Sequence, residues 1–194
     1  MITAALLAVF VAVAFALWRE GVWSAAIMFL NVLLAATFAT AWFEALVGYL
    51  QPFMPSFEYL LDFIALWSLF AIILLVLREV SDRVSRAKVR VRRPLEMFGG
   101  PVVAVATAWV VVCFTAASLH TAAVTRDLIQ PTPESRMFFG LAPDLRWLQW
   151  VRGSTLHGPF ARPQHSFDPN SDFILRYASR RKALEAQPEL RVNR

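Results

Sequence analysis

The apolar positions of this chain fall into four long runs, at about residues 2–18, 22–46, 59–77 and 101–123. Each run is roughly 17–25 residues long and lacks the alternation of a β-strand, which suits a helix that crosses a hydrocarbon core. Helices and closed barrels are the structures that satisfy every backbone polar group in lipid. The pattern therefore predicts an all-α membrane protein with four transmembrane helices.

The division between apolar and polar sequence also predicts two parts, a membrane domain over residues 1–123 and an extramembrane C-terminal tail over 124–194. The tail is expected to be partly helical, at 143–152 and at 173–185. In the first of these, leucine and valine share one face and Trp147 and Trp150 flank it, so the helix either lies on the bilayer or packs on the bundle ends. Asp172 or Ser171 is the expected cap of the second.

Charge sets the expected orientation. The segment 78–97 carries seven basic residues and the segment 51–58 carries none. Short basic loops stay in the cytoplasm, so 78–97 is expected inside, with both termini outside. The first run is read as a retained span, because it has no basic start and Arg19-Glu20 follows it. The basic loop is expected to face anionic lipid through Arg83, Arg86, Lys88, Arg90, Arg92 and Arg93.

Polar residues within the runs are the candidates for function, because they are costly in lipid. Asn31 is expected to bond to a neighbouring helix. Glu44 and Asp62 lie near the outer ends of the second and third runs. They either face one another and share a proton, or sit separately at the headgroup boundary.

The remaining composition excludes several classes of site. Hydrophobic residues make up 58% of the chain, the net charge is +5, and Cys113 is the sole cysteine, which rules out a disulfide within the chain. Three scattered histidines lack ligand spacing, so no metal and no cofactor are expected. No phosphate-loop, zinc-protease or nucleophile-elbow motif is present. The basic residues flank the spans, so lipid rather than nucleic acid is the expected partner, and we expect no enzyme activity.

The layout resembles that of the colicin V production protein family (CvpA), which are small bacterial inner-membrane proteins. The features that match are Arg19-Glu20-Gly21 leading into an alanine-rich second run, the third run continuing into a basic segment, and the glycine-bearing entrance at 95–101. They cover residues 1–123. The chain departs from the family in having no glycine in the first run and no arginine within 101–107.

The resemblance implies a non-enzymatic membrane protein associated with toxin production or export, or with envelope homeostasis. It implies no catalytic residues. The partner would be a second copy of the chain or an export machinery. The alternative function is an oligomeric transporter or channel subunit that uses Asn31, Glu44 and Asp62, and convergence of the two acids in a buried polar cavity would favour that alternative.

Overall fold

The computed structural model describes residues 2–54, 58–85, 93–122, 136–157, 161 and 166–185. The regular elements in these ranges are all helical, which agrees with the all-α prediction. They are α1 (Ile2–Leu17), α2 (Val22–Leu50) with a short 3₁₀ turn after it (Gln51–Phe53), α3 (Glu58–Val84), α4 (Arg93–Ser118), α5 (Pro143–His157) and α6 (Phe173–Glu185).

Three of these helices are long and apolar enough to cross a membrane, over Val22–Phe53, Leu60–Val84 and Phe98–Ser118. They suggest a multi-pass membrane protein, as the sequence predicted. The fourth predicted span corresponds to α1, which is apolar but has only 16 residues. A fourth crossing therefore stays a prediction.

The helix ends differ from the predicted span ends, because a helix does not stop where its sequence turns polar. α2 continues to Leu50 and α3 to Val84. The last turns of α3 are polar but contain an Arg83–Glu79 ion pair of 2.9 Å at helical spacing, which favours helix. α4 begins at Arg93, before the predicted start of the fourth run at about 101, so Pro101 lies inside the helix. α4 also ends early, at Ser118.

The short α1–α2 connection holds the first part of α4. A β-carbon added at Gly99 would lie 2.8 Å from Val22 Cγ2, and one added at Gly100 would lie 3.0 Å from the Glu20 carbonyl oxygen. These glycines therefore let α4 approach the connection more closely than any side chain would allow.

The core of the bundle lies between α2, α3 and α4. The core face of α2 is made of fully buried alanines at 35, 36 and 39, and such small residues let helix backbones approach closely. Phe114 of α4 fills the remaining space, with ring centroids 4.7 Å from Phe70 and 5.2 Å from Trp67 of α3. α1 packs separately, on α4.

The two ends of the bundle are built differently. We call the end where α3 finishes and α4 begins the loop end, and the end where α2 finishes and α3 begins the tail end. At the tail end, the Trp67 indole N–H donates to Ser118 Oγ at 3.1 Å, which marks the level at which α4 stops. α2 and α3 extend beyond this level, and α5 and α6 pack at this end of the bundle.

Candidate functional site

The most extensive polar arrangement in the described residues joins α6 to the tail ends of α2 and α3. Arg176 Nη2 lies 3.2 Å from Glu44 Oε1 of α2, and Arg180 Nη1 lies 2.5 Å from Asp62 Oδ2 of α3. The two arginines are one helical turn apart, so they share a face of α6. We call these four residues the arginine clasp. The structure thus places both predicted acids at one surface, each paired with the tail.

The two pairs differ in burial. The Asp62 side chain is 6% exposed and that of Arg180 is 33% exposed, whereas Glu44 and Arg176 are 40% and 45% exposed. A buried carboxylate requires a partner, since an uncompensated charge there costs several kcal/mol. An exposed pair contributes about 0–1 kcal/mol. The Asp62–Arg180 pair is therefore the stronger constraint on the position of α6.

Arg176 also contacts two further acidic side chains. Its Nε donates to Asp172 Oδ1 at 2.9 Å, and Asp168 Oδ1 lies 3.9 Å away. Partial burial lowers the pKa of Arg176, but Glu44, Asp172 and Asp168 raise it by more, so the net shift is upward. The guanidinium consequently stays charged over the physiological range.

The apolar side of α6 completes the contact. Phe173 is buried with its ring centroid 6.3 Å from Phe43 of α2, 5.5 Å from Phe167 and 4.8 Å from Tyr177. Tyr177 is buried too, and burial raises the pKa of its phenol, which keeps it neutral. α6 is therefore held by an aromatic cluster beneath and by two ion pairs beside it.

The start of α6 is capped differently from the expectation. Asp168 Oδ1 accepts from the backbone N–H of Asp172 at 2.9 Å and of Phe173 at 3.2 Å. Asp172 occupies the capping position of the backbone, since its carbonyl accepts from Arg176 N–H at 2.8 Å, but its carboxylate faces Arg176. Burial raises the pKa of the Asp168 carboxyl, against the opposing effect of those N–H donors.

α5 is attached to the bundle through its tryptophans. The Trp147 indole N–H donates to Thr40 Oγ1 and that of Trp150 to Thr37 Oγ1, both at 3.1 Å. Each threonine donates in turn to a carbonyl of its own helix. Trp147 also meets Phe114 edge-on, with centroids 6.0 Å apart. α5 therefore packs on the bundle, while Trp150 stays partly exposed.

A buried hydrogen bond fixes the beginning of α5. His120 Nε2 lies 3.0 Å from Asp144 Oδ2, and both side chains are almost fully buried. His120 follows α4 in a turn closed by its own N–H to Ala117 O, at 3.2 Å. The contact therefore ties the end of α4 to the first turn of α5, across the part of the chain between them.

Asn31 has the structural contact predicted for it. Its Nδ2 donates to Ser81 Oγ of α3 at 2.9 Å, and Ser81 donates to Arg78 O at 2.9 Å. Nearer the loop end, the Trp23 indole N–H donates to Ser85 Oγ at 2.8 Å. These bonds hold α2 to α3 towards the loop end, away from the arginine clasp.

The predicted lipid-facing basic loop lies mostly outside the described residues. Arg86, Lys88, Arg90 and Arg92 fall in the range 86–92, and Arg93 is described only as the backbone start of α4. Arg83 is in the last turn of α3, where it pairs with Glu79.

Within the described ranges, no group of three or more His, Cys, Asp or Glu residues could hold a metal ion.

The sequence reasoning missed the partners of the acids. Arg176 and Arg180 sit at helical spacing in a segment correctly predicted to be helical, and that spacing was the available signal. The tryptophan–threonine bonds join residues more than a hundred positions apart, so no local pattern contains them.

In comparisons with known proteins, no protein-family model, no curated protein and no solved structure matches this chain.

Proposed function

We propose that this protein is a non-enzymatic, multi-pass protein of a bacterial inner membrane, a scaffold of the CvpA type that acts in export or in envelope homeostasis. Its tail forms a fixed platform on the bundle. The observation that carries the proposal is the arginine clasp. Both membrane-end acids are engaged by arginines of the tail, so they serve to hold that platform in place.

The proposed topology has four crossings, with the loop end in the cytoplasm and the tail end outside. From Gly100 to Ser118, α4 rises about 27 Å, which is close to the roughly 30 Å of a hydrocarbon core. α1 rises about 24 Å and packs along α4. Arg78 and Arg83 lie at the loop end, where positive charge favours the cytoplasmic side.

The helical rise per residue also locates the two acids relative to lipid. Glu44 lies about 6 Å beyond Thr40 along α2, and Asp62 lies about 7 Å beyond Trp67 along α3. With the Trp67–Ser118 level as the proposed hydrocarbon edge, Asp62 stands in the headgroup layer, and the clasp holds Glu44 at the same surface. This supports the headgroup-boundary alternative over an intramembrane proton relay.

The transporter alternative predicts proton movement that depends on these acids. The test is reconstitution of the purified protein into liposomes that contain a pH-sensitive dye, with the wild type compared with the Glu44→Gln/Asp62→Asn variant. A scaffold gives the same proton flux as empty liposomes in both cases. Flux in the wild type that is lost in the variant would overturn the scaffold proposal in favour of a transporter.

A charge exchange separates a structural role from a relay. The single change Asp62→Arg should release α6, and Asp62→Arg together with Arg180→Asp should restore its protection from limited proteolysis. The mass of the wild type and of the exchanged protein in detergent reports any oligomer or bound partner. A relay would not survive the exchange, because arginine does not release its proton.

The topology has its own test, on a Cys113→Ala background. Cysteines at Val84 and at Asn170, which are both exposed, mark the loop end and the tail. In intact spheroplasts, an impermeant thiol reagent should label residue 170 and spare residue 84. The reverse pattern would invert the proposed orientation.

A further inference from the structure

We propose that residues 136–157 form a membrane anchor, whose turn at Phe139–Leu141 and whose Trp150 are seated in the phospholipid leaflet at the tail end. The inference rests on the proposed membrane topology. It adds a lipid-binding surface formed by the tail, in a part of the chain that crosses no membrane.

The position of the turn before α5 is the first argument. Met137 and Phe138 are buried against Leu6 of α1 and against Val112 and Ala116 of α4. Val112 lies about 9 Å further from the tail end than Ser118. The turn is therefore pinned on the side of the bundle at a depth where, in the proposed topology, lipid chains surround the protein.

The conformation of the turn is the second argument. Phe138, Phe139 and Ala142 have φ of 51°, 56° and 46°, and Gly140 has φ of 84°. Residues with side chains adopt this region rarely, and strain of this kind persists where the surrounding structure enforces it. Here it leaves Phe138 buried and Phe139 exposed, with the two rings edge-on at a centroid distance of 5.4 Å.

The exposed side chains are the third argument. Phe139 is 75% exposed, and Leu141 and Leu145 are also exposed. Large apolar side chains that project together from a polar tail mark an interaction surface. In the proposed topology, their depth makes the partner a lipid leaflet, since an aqueous partner would have to enter the bilayer to reach them.

α5 supplies the features of a membrane interface. Trp150 is 49% exposed, and its indole N–H bonds to Thr37, about 4 Å deeper than Thr40. Tryptophan is enriched at the boundary between headgroups and chains. Arg146 lies one turn earlier on α5 and is exposed, in position to extend its cation to the phosphate layer.

Spin labelling in phospholipid vesicles tests the anchor, again on the Cys113→Ala background. Labels are placed at Phe139 and Leu141 in the turn, at Ile72 on the exposed side of α3, and at Asn170 as an aqueous reference. Accessibility to oxygen and to a water-soluble nickel chelate is measured at each site. The expected oxygen-to-nickel ratios at 139 and 141 are closer to the ratio at 72 than to that at 170.

The outcomes separate the anchor from the topology on which it rests. If residue 72 is accessible to oxygen while 139 and 141 match residue 170, the turn faces water and the anchor is refuted. If 139 and 141 are shielded from both reagents, another protein surface covers the turn, which also refutes it. Nickel access at residue 72 would refute the proposed membrane topology itself.

Discussion

The two ends of the bundle hold their helices together by different means. At the loop end, different helices are held by close backbone approach and by hydrogen bonds between uncharged side chains. The glycines of α4 lie against the α1–α2 connection, and the ion pairs Arg78–Asp82 and Arg83–Glu79 link residues of one helix. At the tail end, ion pairs join different helices, beside indole hydrogen bonds.

This difference follows from what each end must position. The loop end holds α4 against the α1–α2 connection, and close backbone approach is sufficient for that contact. The tail end must fix two helices that follow the bundle in sequence, and ordering them has an entropic cost. Buried pairs and aromatic packing offset that cost. We therefore expect substitutions at the tail end to act through burial, and those at the loop end through steric fit.

The largest expected effect is the release of α6 by Phe173→Ala. Phe173 is buried among three aromatic rings, and truncation of such a residue typically costs about 3–5 kcal/mol. Unfolding in mixed detergent micelles should show this loss, and limited proteolysis should cut at α6 first. Leu175→Ala is the matched control, because Leu175 belongs to the same helix and is 60% exposed. Equal effects of the two changes would contradict the aromatic anchoring of α6.

The next effect distinguishes the two arms of the clasp. Arg180→Gln should lower the free energy of unfolding by about 2–3 kcal/mol, because it weakens the compensation of the buried Asp62 carboxylate. Arg176→Gln should lower it by less than about 1 kcal/mol, because its pair with Glu44 is partly exposed and therefore screened. Denaturation of both variants under the same conditions gives the ratio of the two losses in the free energy of unfolding. A larger loss from Arg176→Gln would mean that burial does not control the clasp.

The loop end provides a steric prediction of intermediate size. Gly100→Ala places a β-carbon 3.0 Å from the Glu20 carbonyl oxygen, and overpacking of this kind costs about 1–3 kcal/mol. Gly48→Ala is the control, because a β-carbon there meets no atom within 4 Å. That change should be neutral or stabilising, since alanine favours helix over glycine by about 1 kcal/mol. If both alanines behaved alike, α4 would not depend on the close approach.

The sequence predicted those parts of this architecture that depend on local pattern. Run length and hydropathy were enough for α2, α3 and α4, and periodicity was enough for α6, whose bounds agree with the prediction. Asn31 was predictable because an amide in a span needs a partner. The arginine clasp and the tryptophan–threonine bonds were not predictable, because the sequence of a span does not indicate which tail residue will contact it. The helix ends were missed where polar turns continue an apolar helix.

The smallest expected effects come from exposed ion pairs, one at each end. Glu44→Gln and Arg83→Gln each disrupt a pair whose side chains are 40% or more exposed. Screened pairs of this kind contribute about 0.2–1 kcal/mol, so both changes should shift stability slightly and to a similar extent. In 1 M salt the Debye length falls to about 3 Å. The differences in free energy of unfolding between each variant and the wild type should therefore decrease together. A loss from Glu44→Gln that stays above about 2 kcal/mol in salt would place this carboxylate in a dry environment. The tail end would then lie deeper in the bilayer than the headgroup layer, and both arms of the clasp would act as buried pairs.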